Sequence, residues 1–198
     1  MVTREQRAIA AAAASAQTTS PRPSLAAIWN ALDGVPDPEI PVVSVVELGI
    51  IRSVEWEAAT TDRADGDTLV VAVTPTYSGC PATELIMAGI REALAALGLP
   101  RVRLDTRLAP AWTTDWIAPE AKHKLRAYGI APPTGDAPAS GRVDVTGISP
   151  LRRAAAVVPC PRCGATNTRL VSQFGSTACK AHYRCEACLE PFDYFKPH

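Results

Sequence analysis

Two Cys-x-x-Cys pairs near the C-terminal end most constrain how this 198-residue chain can fold. The pairs are Cys160 with Cys163 and Cys185 with Cys188, and 21 residues separate them. Each pair can direct two sulfurs at one ion, and the intervening segment is long enough for a short β-hairpin. The spacing therefore predicts a zinc site with four thiolate ligands. Two disulfides or two redox-active pairs are the alternatives, and paired spacing fits tetrahedral coordination better than either.

The predicted site has a structural role. A tail of about 40 residues buries too little surface for a core of its own, so a bound metal would supply much of its folding free energy. Four protein thiolates close the coordination shell and leave no position for a substrate. Residues 157–198 are therefore predicted to form a zinc ribbon.

Composition limits the classes of partner. Hydrophobic residues make up 47% of the chain, and 20 Lys and Arg balance 20 Asp and Glu. A neutral balance gives no large basic face for nucleic acid or for an anionic membrane. The sequence also has no run of 18 apolar residues, so no transmembrane helix is predicted.

Zinc ribbons often bind nucleic acid, but the charge of this tail argues against that role. Residues 157–198 contain five Lys and Arg and three Asp and Glu. Zinc with four thiolates adds about two negative charges, which cancels the basic excess. The tail aromatics are therefore expected to form the small core of the ribbon or a protein contact rather than to stack bases: Phe174, Tyr183, Phe192, Tyr194 and Phe195.

The first residues resemble a signal peptide only superficially. Two arginines precede the apolar run 8–14, but that run is nearly all alanine and Glu5 stands before it. Residues 1–23 are therefore expected to be a disordered leader. Cysteines that hold metal also fit a reducing compartment, and the expected location is the cytoplasm.

Periodicity predicts a compact α+β domain over residues 24–131, with packed helices on a small sheet of three or more strands. The second strand is apolar on both faces and should be central. Asp65-Gly66 indicates a hairpin turn before it. Residues 132–156 are rich in Pro, Gly, Ala and Ser and are interpreted as a linker, within which Val143 and Val145 could add a short strand. The predicted helices are about 24–33, 81–97 and 119–128, and the predicted strands are about 50–56, 69–74 and 102–108.

Cys80 lies in the segment TPTYSGCPATEL, directly after the central strand and before a helix predicted to start at Pro81. Free N–H groups and the macrodipole at a helix start stabilise a thiolate, although Glu84 would oppose this. Such a thiolate can accept a soft metal or attack an electrophile. The alternative is a small buried hydrophobic residue.

Three further residues are weaker candidates. Asp37 and Glu39 lie in a loop stiffened by prolines and could approach Cys80 if that loop folds over the strand ends; turn formation alone is the alternative. Cys179 is not needed for a zinc site with four ligands. We interpret it as a thiol packed in the interior, and an additional zinc ligand or a second reactive thiol are the alternatives. The histidines form no spaced pair; His123 is expected to be solvated and His182 to lie near the zinc site without binding it.

Two stretches of sequence resemble known families. DPEIPVVSVVELGIIRSV, VTPTYSGCPATELI and LAPAWTTDWIAPEAKHKLRAYGIAPP resemble the iron–sulfur maturation domain of the SufT type. CPRCGATNTRLVSQFGSTACKAHYRCEACLEPFDYFK resembles the ribbon of the D-type subunits of bacterial phenylacetyl-CoA epoxidase systems, also called the J-type subunits of the phenylacetate-CoA oxygenase. The resemblance covers residues 25–196.

The resemblance implies a non-enzymatic accessory or assembly protein of aerobic phenylacetate catabolism. Its implied partners are a di-iron oxygenase component and a flavin and iron–sulfur reductase component. It implies that Cys80 handles iron or an iron–sulfur cluster transiently, and it carries the DPE loop onto Asp37, Pro38 and Glu39. One cysteine per chain cannot hold a cluster alone, so the expectation includes a homodimer or transfer to a client protein.

Three other functions stay open at this point. Cys80 could be the nucleophile of a thiol-dependent enzyme, although no motif places a histidine base beside it. The chain could be a purely structural zinc-ribbon adaptor that holds the oxygenase complex together. It could also be a general iron–sulfur assembly factor.

Overall fold

The computed structural model describes residues 22–58, 67–77, 79–99, 101–134 and 157–197. These residues form a three-stranded sheet and a four-stranded sheet with helices packed against them, so the predicted α+β class is confirmed. The leader expected over 1–23 and the linker expected over 132–156 lie outside the described residues except at 22–23 and 132–134.

Capping residues mark where two of the helices begin and end. The Oγ of Ser24 accepts a hydrogen bond from the N–H of Ala27 at 3.2 Å and begins the first helix. Gly129, with a left-handed φ of 99°, ends the last. None of the described helices has the length and apolarity needed to cross a membrane. The helices are α1 (Leu25–Asp33), α2 (Thr83–Ala96), a 3₁₀ turn (Thr114–Trp116) and α3 (Pro119–Tyr128).

Helix α2 begins two residues later than its predicted start at Pro81. Residues 81–82 form a turn instead, and the N–H of Thr83 donates to the carbonyl of Cys80 at 3.2 Å. Cys80 therefore lies on the loop before α2 and not in its first turn. The Sγ of Cys80 makes no hydrogen bond among the described residues.

The first sheet has the order β1-β2-β3, with β2 in the middle as predicted. Strands β1 and β2 pair antiparallel, and β2 and β3 pair parallel with α2 as the crossover between them. The third strand stops at Thr106, short of the predicted end at Leu108, which is exposed. The sequence alternates apolar and charged residues here, but the first four residues of the strand are all partly buried and Thr106 is exposed, so burial does not follow that alternation. The strands are β1 (Ile51–Glu57), β2 (Thr68–Val73) and β3 (Val102–Thr106).

The second sheet joins the two parts of the chain. Its order is β4-β7-β6-β5, and β5 and β6 form the hairpin expected between the Cys-x-x-Cys pairs. Strand β4 directly follows α3 and pairs parallel with β7. This pairing was not predicted, because a two-residue strand leaves no periodic pattern. The strands are β4 (Ile130–Ala131), β5 (Thr168–Ser172), β6 (Lys180–Cys185) and β7 (Pro191–Phe195).

The C-terminal part, residues 157–197, is called the ribbon below. Its small core includes Phe192 and Tyr194, and Ala131 of strand β4 contributes to it. Phe195, however, is 1% exposed and belongs to the core of the N-terminal domain, residues 22–134, where its ring centroid lies 6.0 Å from that of Trp112. Burying one such side chain contributes about 2 kcal/mol. The ribbon is therefore packed on the domain.

Candidate metal centre

The two Cys-x-x-Cys turns bring four sulfurs together. The Sγ atoms of Cys160 and Cys188 are 3.8 Å apart, and those of Cys163 and Cys185 are 3.6 Å apart. All four lie within 4.8 Å of one another. This arrangement can hold one metal ion with four thiolate ligands, as the spacing predicted.

Both Cys-x-x-Cys turns end in the same backbone conformation. The residue after the second cysteine of each pair takes a left-handed conformation: Gly164 with φ 76° and Leu189 with φ 65°. In the second turn, the N–H groups of Ala187 and Cys188 donate to the Sγ of Cys185 at 3.4 and 3.5 Å. These bonds orient that sulfur before a metal arrives.

The same bonds change the acidity of Cys185. Chiefly because the N–H of Cys188 donates to its sulfur, the pKa of Cys185 falls from 9.0 to about 7. A thiolate is the form that binds metal. The Cys185 sulfur therefore ionises more readily than that of its coupled neighbour Cys188, whose pKa is raised.

A second group of candidate residues lies where the ribbon meets the N-terminal domain. The loop before β1 contributes Asp37, whose Oδ1 accepts hydrogen bonds from the N–H groups of Glu39 and Ile40, both at 2.9 Å. Asp37 is only 8% exposed. Loss of hydration raises the pKa of its carboxyl above the ordinary 3.8, although the two N–H donors oppose the shift. This carboxyl is thus buried in the folded chain.

Cys80 lies half-buried on the loop between β2 and α2. Its neighbour Tyr77 shows what surrounds it. Desolvation raises the pKa of Tyr77, and the negative charges of Cys80, Cys179 and Glu39 add to the rise. Cys80, Cys179 and Glu39 therefore each lie within electrostatic range of Tyr77.

Cys179 comes from the ribbon, directly before β6. It is 9% exposed and packs in the core of the N-terminal domain, with Cys80 against the same core. Its Sγ lies 3.1 Å from the Oγ1 of Thr177. Burial raises the pKa of the Cys179 thiol, and the nearby Cys80 and Asp37 add to the rise. The structure therefore brings together Cys80, Asp37, Glu39 and Cys179, far apart in sequence.

Lys180 is a member of this group that sequence reasoning missed. It is 4% exposed, and its Nζ lies 3.8 Å from the Oε2 of Glu39 and 3.9 Å from the Oδ2 of Asp193. A buried lysine needs such partners. Only its position next to Cys179 could have hinted at this role.

Neither of the described histidines, His123 and His182, is placed as a metal ligand. His123 is exposed, as expected. His182, on β6, has its Nδ1 3.1 Å from the Oδ1 of Asp193. Neither is among the four clustered metal ligands.

Two family models match the chain. An iron–sulfur cluster assembly protein model matches residues 25–103, and a PaaD zinc beta ribbon domain model matches residues 147–196. The division between the models agrees with the two structural parts.

Two curated relatives are similar to the chain. The D-type subunit of the 1,2-phenylacetyl-CoA epoxidase of Escherichia coli (strain K12) is 47% identical over 174 residues, which is 88% of this chain and 93% of the relative. The Fe-S protein maturation auxiliary factor YitW of Bacillus subtilis (strain 168) is 35% identical over 104 residues, which is 52% of this chain and 91% of that protein. The first similarity extends over most of both proteins.

Solved structures also share part of the chain. A conserved hypothetical protein from Thermotoga maritima is 26% identical, covers 54% of this chain and 97% of its own, and has a TM-score of 0.44. A DUF59 domain from Bacillus anthracis is 24% identical, covers 50% of this chain and 87% of its own, and has a TM-score of 0.41.

Proposed function

The chain belongs to the family of D-type subunits of 1,2-phenylacetyl-CoA epoxidases, and from that premise we propose that it is a non-enzymatic maturation subunit. It delivers iron, or an iron–sulfur cluster, to a metal-containing partner of the epoxidase system. Cys80 is the residue that handles this cargo. The cargo is the substrate of the delivery and not a resident cofactor.

One observation carries the proposal: the half-buried Cys80 packs against the core that contains Cys179, and the negative charges of Cys80 and of the buried Asp37 both add to the raised pKa of Cys179. Thiolate and carboxylate are both ligands of iron in proteins. The match to an iron–sulfur cluster assembly model over residues 25–103 supports the same role, as does the similarity to a relative named as an Fe-S maturation factor. Glu39, in the same loop, is proposed to assist through its ion pair with Lys180.

Zinc is the proposed occupant of the four-cysteine site. The ligands Cys160, Cys163, Cys185 and Cys188 are all sulfur, and zinc readily takes four thiolates in a closed tetrahedral shell. The bound ion would crosslink the two turns and supply no chemistry to a substrate. Metal-held thiols suit a reducing compartment, so the proposed location is the cytoplasm.

A thiol-dependent enzyme is the less favoured reading. A nucleophilic cysteine needs a base within hydrogen-bond reach. Within the described part of the chain, no hydrogen bond joins Cys80 to His123 or His182, and His182 is bonded to Asp193 instead. Cys80 is better suited to binding metal than to attacking a substrate.

The proposed partners are the di-iron oxygenase and the reductase components of the epoxidase. The oxygenase is the proposed client, since its activity depends on iron. Neither nucleic acid nor a membrane is a proposed partner. A homodimer is the alternative source of additional ligands for a shared cluster.

The test is co-production of the epoxidase components with and without this chain. Iron per oxygenase and epoxidation of phenylacetyl-CoA would be measured on the purified oxygenase. We expect both to fall together when the chain is absent. Unchanged iron and activity would contradict the maturation role and favour a structural adaptor.

A further inference from the structure

The two cores of the molecule meet along the paired strands β4 and β7. Consecutive residues of β4 belong to different cores: Ile130 to the core of the N-terminal domain and Ala131 to that of the ribbon. Strand β7 repeats this arrangement with Phe195 and Tyr194, and Ala131 is the register partner of Tyr194. Because side chains alternate between the two faces of a strand, a movement of either strand disturbs both cores.

Two of the four clustered cysteines lie on the ribbon side of this boundary. Cys160 and Cys185 are 2% and 0% exposed and belong to the same small core as Ala131. A core of this size stabilises the ribbon only weakly, so a metal that crosslinks the two turns supplies much of the free energy of folding. The four-cysteine site therefore supports a core to which the N-terminal domain contributes.

A further contact joins the first Cys-x-x-Cys turn to the end of α3. Arg162 lies between the two cysteines of that turn, and a Cβ added at Gly129 would meet the Nη2 of Arg162 at 2.9 Å. The guanidinium group therefore lies against the backbone that ends α3. The partial negative charge of a helix C-terminus favours a cation at this place.

Docking places two ribbon side chains inside the core of the N-terminal domain. Phe195 is 1% exposed and Cys179 is 9% exposed, and both belong to that core. The N–H of Lys196 donates to the carbonyl of Cys179 at 2.9 Å, so the two buried residues lie at the same end of the paired strands β6 and β7. Cys185 lies at the opposite end of β6. The strand pair therefore has the metal cluster at one end and the docked residues at the other.

We propose that metal occupancy of the four-cysteine site controls the docking of the ribbon on the N-terminal domain. In the loaded chain, β6 and β7 hold Cys179 and Phe195 in the domain core, and Arg162 holds the first turn against α3. In the metal-free chain the ribbon loosens, and both buried side chains withdraw into solvent while the first sheet stays folded. This inference goes beyond the proposed function and does not depend on it, since it involves neither cargo nor client.

Alkylation of the cysteines of the full chain, mapped by peptide mass spectrometry, tests the coupling. N-ethylmaleimide would be applied, without oxygen, to the zinc-loaded chain and to the same chain after a chelator has removed the zinc. We expect Cys179 to react about tenfold faster or more in the zinc-free chain, because loss of docking removes its protection. Reaction of the four clustered cysteines in the same sample shows that the zinc has left. A Cys179 that stays as unreactive as in the loaded chain would overturn the proposal.

Hydrogen exchange on the same two samples separates undocking from general unfolding. Strands β4 and β7 should lose protection when zinc is removed, whereas β2, in the middle of the first sheet, should keep it. An equal loss of protection in β2 would also overturn the proposal, because zinc would then hold the whole fold and not the docking alone.

Arg162→Ala tests the contact at α3 with all four clustered cysteines intact. In the zinc-loaded chain it should raise the alkylation rate of Cys179 by about twofold to fivefold, since a cation at a helix C-terminus contributes a small stabilisation. Arg169→Ala is the matched control, because Arg169 is exposed and pairs with Glu186 inside the ribbon; its rate should equal that of the wild type. Equal rates for the two variants, at equal zinc content, would overturn the role of Arg162 in docking.

Discussion

The Nζ of Lys180 lies 3.8 Å from the Oε2 of Glu39 and links the ribbon to the N-terminal domain. Lys180 is buried, whereas Glu39 is exposed. The pair therefore fixes the position of Cys179, the residue before Lys180, relative to the loop that carries Asp37. The placement of Cys179 beside the N-terminal domain depends on this docking.

Lys180→Met should therefore destabilise the docked ribbon. Methionine keeps much of the side-chain length but leaves two carboxylates facing a buried apolar group, at an expected cost of about 1–2 kcal/mol. Urea unfolding would measure it. A double-mutant cycle with Glu39→Gln isolates the pair, and a coupling energy near zero would show that the Lys180–Glu39 pair does not hold the parts together.

Asp37→Asn should stabilise the metal-free chain at neutral pH. Asparagine keeps an Oδ1 acceptor for both backbone N–H groups and removes a charge whose burial raises the pKa of Asp37. Because the folded-state pKa is raised, the cost of the carboxylate is present above that pKa and absent below the ordinary value of 3.8. Glu39 adds to this cost and Lys180 reduces it.

Thermal unfolding of wild type and Asp37→Asn across a range of pH is the measurement. The stability gain should shrink as the pH falls through the raised folded-state pKa and disappear well below 3.8, where both chains carry a neutral group in the folded and unfolded states. A variant that is less stable than wild type at neutral pH would contradict the prediction. It would mean that the carboxylate contributes a favourable contact instead.

Leu189→Gly should stabilise the metal-loaded ribbon. Leu189 is exposed and has φ 65°, a conformation that costs a leucine about 1–2 kcal/mol and a glycine almost nothing. After the entropy that glycine gains in the unfolded chain, the expected net gain is about 0.5–1 kcal/mol. Guanidinium unfolding would measure it.

The first Cys-x-x-Cys turn offers the reciprocal control. Gly164 has φ 76°, and a Cβ added there would meet no atom within 4 Å, so Gly164→Ala adds backbone strain without a clash. It should cost about 1–2 kcal/mol. Equal stability of both variants and wild type would show that the left-handed conformation is not a constraint in either turn.

Phe195→Ala should separate the ribbon from the domain. Phe195 is fully buried beside Trp112, so truncation removes a large apolar group and leaves a cavity, at about 3–5 kcal/mol. Phe174→Ala is the control, since Phe174 is 64% exposed and its loss should change stability by about 0.5 kcal/mol or less. Similar unfolding free energies for the two variants would contradict the docked arrangement.

Local patterns made much of this fold predictable. Cys160, Cys163, Cys185 and Cys188 could be paired because ligand spacing within each turn is a local property of the chain. The order of the first sheet followed from the apolar run of β2, and helix bounds followed from Ser24 and Gly129.

Contacts between the two parts were not predictable from such patterns. Cys179 was favoured as a packed thiol, and its burial agrees with that reading, but nothing in the sequence shows that it packs in the core of the other part. The burial of Lys180 could not be predicted from the sequence either, because a lysine in a polar strand is normally exposed to solvent. Even the start of α2 was misplaced, because Pro81 suits a turn as well as a first helical position.

The most direct test of the maturation role is the iron content of the oxygenase component co-produced with wild-type chain, with Cys80→Ser, or with the control Glu92→Gln, which changes an exposed carboxylate farther along α2. If Cys80 handles the cargo, Cys80→Ser gives oxygenase as poor in iron as when the chain is absent, whereas Glu92→Gln gives the wild-type content. Full iron occupancy with Cys80→Ser, at wild-type levels of the variant chain, would contradict that role.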